Sequence, residues 1–153
     1  MTVERGAYKQ TMTSNWWTPS DDRRGYYKRH DAAGENVDDL GPCPWDASVP
    51  IGLSSSMNVD AVAKNAQMAL GEESRDALPV KLHHEAGYHC CGFIYYESLA
   101  QRYSRGLPGH VLFCHVPGVV DDASLMKSAT AITAIIGAAA KEILEGKHDG
   151  REW

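Results

Sequence analysis

Apolar and polar positions alternate with a clear period only in the second part of this chain. Leu78-Pro79-Val80-Lys81-Leu82-His83-His84 has the composition of a strand with an early proline, and Gly87 marks a turn after it. Over 89–104, Phe93, Tyr96, Leu99, Ala100 and Tyr103 recur at helical spacing, which predicts a helix that Gly106, Pro108 and Gly109 break. His110-Val111-Leu112-Phe113-Cys114-His115-Val116 predicts the best strand of the chain, stopped by Pro117-Gly118. Over 122–145, Leu125, Ala129, Ile132, Ile136, Ala139 and Ile143 form a stripe that predicts a long helix. Asp121 and Asp122 lie at the positive end of its dipole, Lys141 and Lys147 near the negative end, and Gly146 suits the residue after the cap. Strand, helix, strand, helix over 78–146 predicts a βαβα core on a parallel sheet.

The first part reads differently. Residues 9–57 contain Trp17-Thr18-Pro19-Ser20, Gly41-Pro42-Cys43-Pro44 and Val49-Pro50 and follow no period, which predicts an irregular insertion or loop region. Asn58 can cap a helix over 59–70, with Val59, Val62, Ala63, Ala66 and Leu70 on one face and Gly71 at its end.

At 153 residues the chain suits a single domain spanning 1–153, able to bury roughly two-thirds of its unfolded surface. Its net charge of -5 and its single basic stretch, Arg23–Arg29 between Asp21-Asp22 and Asp31, argue against nucleic acid as a partner. No apolar run reads as a bilayer span, and the start lacks the apolar core of a signal peptide, so no membrane partner is expected. Four cysteines, two of them adjacent, do not make a disulfide framework. The expectation is free thiols in a reducing, cytoplasmic setting.

Two positions have chemistry in them. Cys91 follows a strand and a glycine turn and falls in the first turn of a helix, where unpaired N–H groups and the dipole favour a thiolate. His115 ends the next strand. If the two strands are adjacent and parallel, both residues lie at one edge, where a thiolate and an imidazole could pair. The plainer reading is a buried cysteine acting as a small hydrophobe and a hydrogen-bonded histidine. Cys90, about 100° round the helix, is expected to be packing. His83, His84, His89, Cys90, Cys91, Cys114 and His115 are many soft ligands, but they lack paired metal-ligand spacing, and His83 and His84 point to opposite faces of a strand. No metal or organic cofactor is expected.

The window from Ala86-Gly87-Tyr88-His89-Cys90-Cys91 through Gly92-Phe93-Ile94-Tyr95-Tyr96-Glu97-Ser98-Leu99-Ala100 resembles the active-site cysteine segment of the pyroglutamyl peptidase I family. Phe113-Cys114-His115-Val116-Pro117 is similar to the family's histidine segment, and the interval of 24 residues from Cys91 to His115 matches the one usual in the family. Thr2-Val3-Glu4-Arg5-Gly6-Ala7-Tyr8 looks like its acidic segment, and Gly25-Tyr26-Tyr27-Lys28 through Asp31 and Gly34 is similar to fungal members. The likeness is dense over 78–145. It departs at Glu85 and Tyr88-His89, beside the cysteine.

The resemblance implies a three-layer α/β/α fold with a mainly parallel sheet, lacking the N-terminal strands of the family. It implies a cysteine-type omega peptidase with Cys91 as nucleophile, His115 as base and Glu4 as orienter. The partner would be a peptide carrying N-terminal pyroglutamate. Since the family's ring-binding segment precedes its acidic motif and has no counterpart here, the alternative is a weak or inactive family fragment. Such a fragment would bind or self-associate through an uncovered sheet edge.

Overall fold

The N-terminal residues, to which the apolar period assigns no element, form the strand on which the sheet is built. In the computed structural model the described residues are 1–8, 33–34, 45, 48–50, 52–71, 79–87, 90–118 and 121–146. Among them, in chain order, are β1 (Thr2–Tyr8), β2 (Gly52–Ser54), α1 (Val59–Ala69) and β3 (Lys81–Glu85). Then come α2 (Cys90–Ser104), β4 (Phe113–His115) and α3 (Asp122–Leu144). Most of the segment expected to be irregular, 9–57, lies outside the described residues, but Gly52–Ser54 within it is a strand rather than a loop.

The sheet is mixed, not mainly parallel. β1 pairs in parallel with β3, Thr2 opposite Lys81 and Gly6 opposite Glu85. Along its other edge β1 meets two antiparallel strands end to end: β2 opposite Gly6–Tyr8, then β4 opposite Thr2–Glu4. The edge beyond Arg5 is already taken by β2. Ser55 N donates to Arg5 O at 2.9 Å, and Ser56 N to Gly109 O at 3.0 Å, which pins the approach to β4 beside the exit from β2. β4 therefore enters from that junction and runs against β1. β3 and β4 are not neighbours, because β1 lies between them.

The helices begin and end where their caps dictate. Asn58 accepts from Ala61 N at the start of α1, and Asp121 accepts from Ser124 N at the start of α3. The same Ser124 hydrogen bonds hold the Asp121 carboxyl below its usual range. Gly71 and Gly146 take positive φ just beyond the two C-termini.

Which face α3 buries differs from the expected stripe. Ala131, Ile135, Ala138 and Glu142 are buried, whereas Leu125, Ile132, Ile136 and Ile143 are exposed, Ile136 at 62%. Small residues decide it. Ala131 and Ala138 let α3 close on Val62, Ala63 and Ala66 of α1, in one cluster with Val3 and Val80. Contrary to the sequence expectation, α3 is also long and apolar enough to cross a membrane by length and composition. A second cluster joins Ala7 and Leu53 to Tyr95, Tyr96, Leu99 and Ala100 of α2.

Gly6 is needed where β2 crowds β1. A Cβ there would sit 2.5 Å from the Leu53 carbonyl oxygen and 2.9 Å from Ser54 Oγ, and the first of these is backbone that cannot swing away. Gly6→Ala is therefore expected to cost about 1–3 kcal/mol, as overpacking does. Urea unfolding should show a lower midpoint at unchanged slope. An unshifted midpoint would mean that β2 sits farther from β1.

Candidate active site

Glu4 lies in the middle of β1 and its side chain is 1% exposed, an address at which a charged group needs partners. It has three. Thr2 Oγ1 donates to Oε1 at 2.7 Å, His115 Nδ1 lies 2.8 Å from the same oxygen, and His83 Nδ1 lies 2.9 Å from Oε2. The strand register explains the gathering. His83 is directly opposite Glu4 on β3, and His115 is opposite Thr2 on β4, one diagonal step from the carboxylate. A ring whose Nδ1–H donates to a carboxylate carries, in its neutral form, a lone pair on Nε2. Both rings are partly open to solvent, His115 at 42% and His83 at 59%. The His115 ring also packs edge-on against Phe113, with centroids 5.1 Å apart.

Tyr95 of α2 holds the backbone of β1 at Glu4. Its hydroxyl lies 3.1 Å from Glu4 O and 3.3 Å from the carbonyls of Arg5 and Val111, at the gap between β2 and β4. Burial, with the negative charges of Cys114 and Glu4, pushes this phenol well above its usual range, so it stays a donor.

Cys91 is the second residue of α2, half-buried, while Cys90 beside it is exposed. The expectation that Cys90 would be the packed member of the pair does not hold. Nor is the Cys91 thiol lowered. Burial pushes it up, the charge of Cys90 and a hydrogen bond with it add to this, and the Glu4 charge adds further. The helix start is outweighed by desolvation and like charge. Among the described residues no hydrogen bond joins Cys91 to His115 or Glu4. The two strands are not the adjacent parallel pair expected: β1 lies between β3 and β4, and β4 runs antiparallel to it.

The structure thus brings Glu4 and His115 together and leaves Cys91 nearby, within reach of the Glu4 charge but outside their hydrogen bonds. Cys114 packs against the α1–α3 cluster, and its thiol is pushed up by burial and then by Glu4. Cys43 and His89 lie outside the described residues. Among the described residues no group of three or more His, Cys, Asp or Glu side chains is placed to hold a metal. His83, Thr2 and Tyr95 were not singled out as site residues by the sequence. The signal for His83 was its place beside Leu82, on the opposite face from that core residue.

Because Cys90 contributes to the raised thiol, its removal should free Cys91. The thiolate is the reactive form, so a lower pKa means more thiolate at a given pH, tenfold for each full unit. Cys90→Ala is expected to speed alkylation of Cys91 by iodoacetamide at pH 8, followed by peptide mapping. A slower or unchanged rate would show that Cys90 does not raise the thiol.

No protein-family model matches this sequence, and no curated protein matches it. Solved structures do. Two mutant pyrrolidone carboxyl peptidases from the hyperthermophile Pyrococcus furiosus superpose with a TM-score of 0.61, at 17% and 18% identity. Each match covers 93% of this chain and 63% of the other, so the chain spans less than two-thirds of the length of these structures. Over nearly all of its length, on a mixed α/β sheet, this chain resembles the fold of pyrrolidone carboxyl peptidase.

Proposed function

We propose that the chain carries a cysteine-peptidase site that removes N-terminal pyroglutamate from peptides. Cys91 is the nucleophile, His115 the base and Glu4 the residue that orients the base. The observation that carries this reading is the 2.8 Å contact between a buried Glu4 and His115, residues 111 positions apart, in a fold like that of a pyrrolidone carboxyl peptidase. Pyrrolidone carboxylate is the pyroglutamyl group by another name.

In the reaction, Cys91 Sγ attacks the carbonyl carbon that joins the pyroglutamyl ring to the next residue. His115 Nε2 takes the thiol proton as the S–C bond forms, which suits a thiol that is not already ionised. The same nitrogen returns the proton to the departing amine as the C–N bond breaks. Water then hydrolyses the thioester, releasing free pyroglutamate and Cys91. Glu4 keeps the proton on Nδ1 and stabilises the imidazolium that forms. Backbone N–H groups at the start of α2 are available to the oxyanion. Among the described residues Cys90, Cys91 and Cys114 are free thiols, and a nucleophilic Cys91 must stay reduced, so the proposal includes a reducing, cytoplasmic setting.

A second reading has its own support: a weak or inactive relative that acts by association. The raised Cys91 thiol and the exposed Leu125, Ile136 and Leu144 of α3 favour it. One experiment separates the two. The full chain is assayed on a fluorogenic pyroglutamyl amide, with Cys91→Ser as the blank, while its mass in solution is measured. Turnover lost in Cys91→Ser and in His115→Ala supports the peptidase. Turnover equal to the blank, with a mass above that of one chain, supports association.

A further inference from the structure

Glu4 holds a second imidazole for which the proposed peptidase reaction has no step. We propose that His83 is a positioning residue for the Glu4–His115 pair; this rests on the peptidase reading but is measured at the pair itself. A glutamate side chain turns about three torsions, and orienting His115 requires that one particular oxygen face Nδ1. Oε1 receives Thr2 and His115, whereas Oε2 receives His83. The carboxylate is 1% exposed, so an Oε2 without that donor would be a buried acceptor missing a partner. Turning the carboxylate to repair this would pull Oε1 out of line with His115.

The register makes His83 suited to the task. It is directly opposite Glu4 on the parallel strand, so backbone pairing fixes the distance its ring must cover. Its ring is 59% exposed, so replacing it deletes a hydrogen bond without opening a core cavity. That separates a positioning role from a packing one.

The test uses two amide side chains that differ in where they place the N–H. Asparagine puts it close to the position of Nδ1; glutamine carries it out toward the position of Nε2. The full chain, labelled with ¹⁵N at histidine, is compared with His83→Asn and His83→Gln by imidazole ¹⁵N–¹H spectra that report the His115 tautomer. In the parent protein and in His83→Asn, His115 is expected as the Nδ1–H form with a downfield hydrogen-bonded proton. In His83→Gln that proton signal should be lost and the tautomers mixed. Where turnover is measurable, kcat should fall roughly 10- to 100-fold in His83→Gln at little-changed KM, and recover in His83→Asn. Identical His115 signals in the parent and His83→Gln overturn the proposal. So does a His83→Gln chain that fails to fold, because the residue would then be structural. If Cys91 proves not to be the nucleophile, the peptidase reading fails while the tautomer result still stands or falls by itself.

Discussion

Tyr95→Ala is expected to be among the most destabilising single substitutions in this chain, costing about 3–5 kcal/mol against a net stability of about 5–15 kcal/mol. The ring is 1% exposed, tilts against Phe113 at 5.6 Å between centroids, and belongs to the cluster that fixes α2 to β1 and β2. Its hydroxyl adds a separate contribution. β2 and β4 meet end to end along β1, and the carbonyls of Glu4, Arg5 and Val111 at that junction share one Tyr95 proton. Tyr95→Phe keeps the ring and removes only this donor, so it should cost about 1–2 kcal/mol, the range for a lost buried hydrogen bond. Urea unfolding of the three proteins checks both numbers. If Tyr95→Phe cost as much as Tyr95→Ala, the junction rather than ring packing would dominate. Equal stability of all three would mean that α2 does not depend on this contact.

How much of this was legible in the sequence depends on whether local or long-range pairing decides the feature. The helix bounds were legible, because caps and glycines act within a turn: Asn58, Asp121, Gly71 and Gly146 stand where side chain and φ require them. Thr2–Tyr8 was not legible as the central strand, since Glu4, Arg5 and Gly6 interrupt any apolar run. It is a strand because β3, β2 and β4 satisfy its backbone along both edges, and no local period records that. The face of α3 was misread for a related reason. Apolar count favours the Ile132–Ile136 side, but close approach to α1 favours alanine, and the partner is not visible in the helix's own residues. At the site, Cys91 and His115 were named from their positions and Glu4 from the resemblance, and the structure joins only two of the three by a hydrogen bond. His83 and Thr2 enter through register alone.

Glu4→Gln should move two observables of Cys91 in opposite directions, and that opposition is what distinguishes an orienting carboxylate from a merely nearby charge. The Glu4 charge is one of the causes that raise the Cys91 thiol, after burial and Cys90. Removing it lowers the thiol pKa, so the thiolate fraction at pH 8 rises and alkylation quickens, modestly because Glu4 is the smallest of the raising causes. Turnover should fall. A glutamine offers one oxygen and one NH₂ where the carboxylate offered two acceptors, so it cannot accept from both His83 Nδ1 and His115 Nδ1. If the NH₂ faces His115, it demands a lone pair on Nδ1 and leaves the proton on Nε2, the nitrogen that must accept the Cys91 proton. In a comparable carboxylate-to-amide change at a catalytic triad the loss is about 10⁴-fold, enough here to reduce turnover to the Cys91→Ser background. The two measurements are iodoacetamide labelling of Cys91 at pH 8 and hydrolysis of a pyroglutamyl amide, made on one preparation. Faster labelling with lost hydrolysis supports the orienting role. Slower labelling would contradict the electrostatic account, and hydrolysis kept at the parent rate would remove Glu4 from the reaction.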